Sequence, residues 1–62
     1  MAGGEILVEF VVQGSFVKVT AIDPVSGTEA VTMGPASAPR AALSDAAVRK
    51  LKYMMRKKNG GG

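Results

Sequence analysis

Phe16-Val17-Lys18-Val19-Thr20-Ala21-Ile22-Asp23-Pro24-Val25-Ser26-Gly27-Thr28-Glu29 is the stretch whose reading decides the fold. β-Branched residues alternate through Ile22, and Asp-Pro-x-x-Gly-Thr then reverses the chain. Asp accepts hydrogen bonds from amides further along, Pro presets φ, and Gly27 can take the left-handed position. Gly14-Ser15, just upstream, fits a two-residue type II′ hairpin loop, whose first position needs φ > 0. The stretch is therefore the centre of a three-stranded meander.

Working outward, Glu5 to Val12 alternates with period two and is rich in β-branched and aromatic residues, which predicts a strand. A loop at Gly14-Ser15 sets Gln13 against Phe16, Val12 against Val17, Phe10 against Val19 and Val8 against Ala21. A one-residue slip would break the match of apolar faces. Pairing Asp23 with Thr28 sets Ala21 against Ala30 and Val19 against Thr32. One sheet face then carries Ile6, Val8, Phe10, Val12, Val17, Val19, Ala21, Ala30 and Thr32. This is the face a helix should cover.

Gly34-Pro35 ends the third strand, because Pro lacks the ladder donor. A helix is predicted to begin near Ser37–Pro39, with Ser37 as N-cap and Pro39 early in the first turn. Ser44-Asp45 is a second possible start. At ~100° per residue, Leu43, Ala47, Val48, Leu51, Met54 and Met55 form one stripe. Arg49, Lys52 and Arg56 fall nearly opposite. Tyr53 belongs at the margin of the core, and Asn59-Gly60 is the expected stop. The fold class is α+β: a three-stranded antiparallel β-meander with one C-terminal helix packed on one face. Residues 1–4 read as a flexible start, 5–58 as a single domain and 59–62 as a disordered glycine-rich tail.

A chain of 62 residues makes one domain at most, and it buries only about 60% of its unfolded surface. Small domains usually add disulfides, a metal or a partner. With no cysteine and no histidine, disulfides and thiolate or imidazole ligands are excluded. Self-association is the remaining common remedy. No secretory leader is visible, and no run approaches the ~18 apolar residues that span a bilayer. The reading is a cytoplasmic protein.

The net charge of +3 is unevenly spread. Glu5, Glu9, Asp23 and Glu29 face Lys18 alone in the sheet region. Arg49, Lys50, Lys52, Arg56, Lys57 and Lys58 crowd the end of the helix, where cations suit the helix dipole.

Chemistry is poorly supplied. Glu5 and Glu9 lie about 13 Å apart along one strand, too far for a carboxylate pair. Ser15, Ser26 and Ser37 have turn or cap roles, and no histidine could activate them or Ser44. Phosphate-cradling loops and clustered acids for an all-oxygen metal site are lacking. No catalytic residue, metal ligand, cofactor or small-molecule substrate is inferred.

Two surfaces remain. The second sheet face carries Leu7, Val11, Phe16, Ile22, Val31 and Met33 among Glu9, Lys18, Thr20 and Glu29. A face meant for water would be more polar, so it is the expected protein interface, serving a homodimer or a larger assembly. The alternative is non-specific nucleic-acid binding by Arg49, Lys52 and Arg56, spaced to meet successive phosphates. Exposed aromatic residues for base stacking are scarce. A membrane-surface role conflicts with the sheet's need for the helix's apolar stripe.

In order, Gly14-x-Phe16-Val17-Lys18-Val19-x-Ala21-Ile22-Asp23-Pro24-x-x-Gly27-Thr28-Glu29, Gly34-Pro35-Ala36 and Ala47-Val48-Arg49-Lys50-Leu51-x-Tyr53 resemble a family of short bacterial proteins of unknown function. The resemblance covers Phe10 to Lys58 and implies the same meander plus helix. It brings no activity and no functional residues. The family pattern places larger apolar residues where this chain has Ala30 and Thr32, which implies a weaker third strand at the sheet edge.

Overall fold

In the computed structural model, which describes residues 5–59, strands β1 (Leu7–Gln13), β2 (Phe16–Ile22) and β3 (Glu29–Pro35) form an antiparallel sheet in the order β1-β2-β3. Helix α1 (Arg40–Asn59) follows and packs on one face. The architecture is the predicted α+β arrangement, βββα. The expectations for residues 1–4 and 60–62 lie outside the described residues.

Both reversals form as the turn residues dictate. Gly14 has φ 62° and Ser15 stays at negative φ, as a type II′ loop requires. Gln13 pairs with Phe16, Phe10 with Val19 and Val8 with Ala21. At the second turn the Asp23 amide donates to the Thr28 carbonyl (2.9 Å) and the Gly27 amide to the Asp23 carbonyl (2.8 Å). Gly27 takes φ 78°, a conformation that costs glycine little. Ala21 then meets Ala30, and Val19 meets Thr32.

This register divides the sheet as predicted. Val17, Val19, Ala21 and Ala30 are buried beneath Leu43, Ala47 and Leu51 of α1. Three of these seven are alanines, so the helix comes close to the strands. Leu51 and Val19 are the largest side chains fully withdrawn from water, worth about 1.5–3 kcal/mol each. Val48, Met54 and Met55 pack around this centre, which completes the predicted helical stripe.

Three details depart from the sequence reading. Val12, expected beneath the helix, is 57% exposed. The helix lies over β2 and β3 and touches β1 least. The connector is the reason: only residues 36–39 separate β3 from α1, too few to carry the helix to the far strand. Second, the helix starts at Arg40, with the Pro39 carbonyl accepting from the Ala42 and Leu43 amides. Ser37 therefore stands outside the first turn and is not its cap. The preceding turn is closed by the Ala38 amide donating to the Pro35 carbonyl (3.0 Å). Third, Tyr53 is exposed rather than marginal to the core, and the Lys57 ammonium sits 5.8 Å above its ring.

β3 is a sheet edge, as the resemblance implies, yet it equals the other strands in length and carries most of the helix contact. Its small residues make room for α1. A Cβ built at Gly34 would collide with the Leu43 side chain.

Candidate functional site

The pairing of the strands lays out the uncovered sheet face as rows. Leu7, Ile22 and Glu29 form one row; Glu9, Thr20 and Val31 the next; Val11, Lys18 and Met33 the third; Gln13, Phe16 and Pro35 the last. All six apolar residues predicted for an interface share this face. Leu7, Val11, Phe16, Val31 and Met33 are exposed, whereas Ile22 is half-buried. Phe16 and Met33 are the most open, at 55% each, and they occupy adjacent rows. Thr20 is buried on this same face, because it is central and flanked by Glu9 and Val31.

The basic stripe forms in part. Lys52 and Arg56 are exposed on α1. Arg49 is exposed too, but Asp45 one turn earlier holds it: the Arg49 Nη2 donates to Asp45 Oδ2 at 2.8 Å. An exposed pair of this kind contributes about 0.2–1 kcal/mol, so a phosphate could displace it. Lys50 has a different role. Its ammonium donates to the Val31 backbone carbonyl at 2.7 Å, tying the helix to the outer side of β3. Sequence reading grouped Lys50 with the other cations, since nothing local distinguishes it.

Asp23 is the most constrained acid. It is 5% exposed, accepting from the Ser26 hydroxyl at 2.7 Å and from the Val25 amide at 3.3 Å. The Ser26 hydroxyl holds the Asp23 carboxyl below the usual carboxylate range; burial opposes this, and the Val25 and Ser26 amides reinforce it. Ser26 Oγ also accepts from the Thr28 amide at 3.2 Å and lies 2.8 Å from the Thr28 hydroxyl. These bonds hold the turn in shape, so Asp23 and Ser26 do structural work. Glu5 and Glu9 are exposed. Among the described residues, no three acids lie together as a metal site, and no helix is long and apolar enough to cross a membrane.

Arg40 was not anticipated as a contact residue. Its guanidinium lies 4.7 Å above the Phe10 ring and covers part of β1, the strand that α1 touches least. The pair is far apart in sequence, so only the fold brings it together.

A family model described as a domain of unknown function (DUF6898) matches residues 3–58 of the chain. No curated protein matches, and no solved structure matches.

Proposed function

The chain belongs to the DUF6898 family, whose function is unknown, and we propose that it acts as a small non-enzymatic protein-interaction module. It self-associates, or joins a larger assembly, through the open sheet face. The observation that carries this reading is the exposure of Leu7, Val11, Phe16, Val31 and Met33 on one continuous face. Contiguous apolar surface of this kind marks binding sites more often than free surface. The charges on the face also permit self-docking. Glu9 and Lys18 lie in adjacent rows, so a second copy turned by two-fold symmetry can set each against its opposite. A cytoplasmic setting and a bacterial source belong to the same proposal; they rest on the absence of cysteine and on the family resemblance.

Phe16→Lys tests this reading. Phe16 is more than half exposed, so the variant should fold with unchanged helix content. Association through the face should weaken by about tenfold or more, as expected for an aromatic anchor at an interface. Unchanged association in sedimentation would remove the face from consideration.

A second reading is favoured by the exposure of Arg49, Lys52 and Arg56 on one side of α1: an accessory protein that binds nucleic acid through phosphates. It predicts affinity that falls steeply with salt.

A further inference from the structure

The two edges of the sheet are treated differently. The Asp23 amide donates to Thr28, and the Ala36 amide donates to the Ser15 carbonyl. Odd-numbered positions from 15 to 23 therefore turn their backbone groups toward β3. In an antiparallel ladder the direction alternates residue by residue. The even positions of β2 thus bond β1, through Leu7, Glu9, Val11 and Gln13. That leaves the amides and carbonyls of Val8, Phe10 and Val12 directed away from the sheet along the open edge of β1. By the same count, Val31 and Met33 face outward on β3.

The β3 edge is guarded. Lys50 occupies the Val31 carbonyl, and Pro35 has no amide to offer. Lysine and proline are the usual means of blocking an exposed edge. Among the described residues, the β1 edge has no such device. It runs Leu-Val-Glu-Phe-Val-Val-Gln, carries one charge and contains neither proline nor lysine. On its helix side Phe10 is only half-buried and Val12 is 57% exposed, because α1 covers this strand least.

We infer that two copies of the chain join edge to edge through antiparallel pairing of β1 with β1, forming a continuous six-stranded sheet. A second copy is the fitting occupant because β1 complements itself. A register centred on Val11 sets Phe10 beside the partner's Val12 and Glu9 beside the partner's Gln13. No like charges meet, and the two Arg40 groups over the Phe10 rings stay apart. A register centred on Glu9 opposes two carboxylates and is excluded on that ground. The two-fold axis passes through the sheet, so both helices lie on one face. Phe10 and Val12 of each copy fill the gap between them. The two uncovered faces merge into one, twice as wide, and stay free for the contact proposed above. Edge pairing does not depend on that contact.

Amide hydrogen exchange on the full chain tests the pairing, run at low and high protein concentration beside sedimentation. The amides of Phe10 and Val12 should exchange at least tenfold more slowly at high concentration, as the mass doubles. Those of Glu9 and Val11, already bonded to β2, should change little. Val12→Pro removes one outward donor without touching the β1–β2 ladder. It should stay monomeric at concentrations where the parent chain is a dimer, with unchanged circular dichroism. If Val12→Pro fails to fold, the exchange of the parent chain decides alone. A dimer in which Phe10 and Val12 exchange as fast as in the monomer overturns the proposal and points to the open face. A chain that remains monomeric throughout overturns it as well and leaves the edge to a foreign strand. Phe16→Lys separates the two interfaces, because it should weaken face contacts and leave edge pairing intact.

Discussion

At position 34 the side chain is a single hydrogen because Leu43 occupies the space that a Cβ would need. Gly34 lies in the row with Val12 and Val17, where the helix first meets the sheet. Gly34→Ala forces the nearly buried Leu43 to swing outward. The better strand propensity of alanine does not offset this, so the variant should lose about 1–3 kcal/mol, read as a lower urea midpoint. Asp23 supplies a second residue-scale test. Its carboxyl is held below its ordinary value chiefly by the Ser26 hydroxyl. A group with a depressed folded pKa adds stability above its unfolded pKa and loses it as pH falls toward the folded value. Stability should therefore drop on acidification below about pH 4, and the part of that drop due to Asp23 should be missing in Asp23→Asn. Melting temperatures between neutral and acid pH would reveal it.

At the scale of elements, the helix and the two strands beneath it carry the stability. A domain of this size has roughly 3–9 kcal/mol in total. Leu51 is fully buried, and Leu51→Ala should cost about 2–5 kcal/mol. That loss is a large share of the total, so the urea midpoint followed by circular dichroism should fall steeply. Val12 makes the contrast. Strand alternation alone would place it in the same core, but it is mostly exposed. At concentrations where the chain is monomeric, Val12→Ser should cost no more than about 0.5 kcal/mol. Comparable losses for Leu51→Ala and Val12→Ser would contradict the lateral position of the helix.

At the scale of the whole molecule, the distribution of guarded and bare surfaces matters more than any one contact. One edge carries Lys50 on a backbone carbonyl; the other carries no guard among the described residues. A closed pair joined by bare edges has only guarded edges left. Lys50→Ala would expose β3, and pairing at both edges gives open-ended growth instead of a closed dimer. Light scattering should show larger species in Lys50→Ala than in the parent chain. The cations on the outer side of α1 make a separate prediction. If they bind phosphates, replacing Arg49, Lys52 and Arg56 with Ala should flatten the salt dependence by up to about three phosphate contacts. Titration of a labelled duplex at several salt concentrations would measure it.

Most of the fold is legible in the sequence because its signals are local. Gly14, Asp23, Pro24 and Gly27 fix two turns through their own backbone preferences, and the turns set the register. Once the register stands, period-two alternation decides which face is covered, so Leu7, Val11, Phe16, Ile22, Val31 and Met33 were found together from sequence. Val12, Lys50 and Arg40 were not legible in this way. Their surroundings depend on where the helix lies across the sheet, and that is settled by packing between distant residues: a short connector, Gly34 yielding space to Leu43, and Lys50 reaching Val31. Periodicity assigns a side chain to a face but is silent on how far sideways its cover extends. The sequence by itself therefore determined the strands, their alignment and the two faces. Only the tertiary structure decided that the helix sits over β2 and β3, leaving the edge of β1 open.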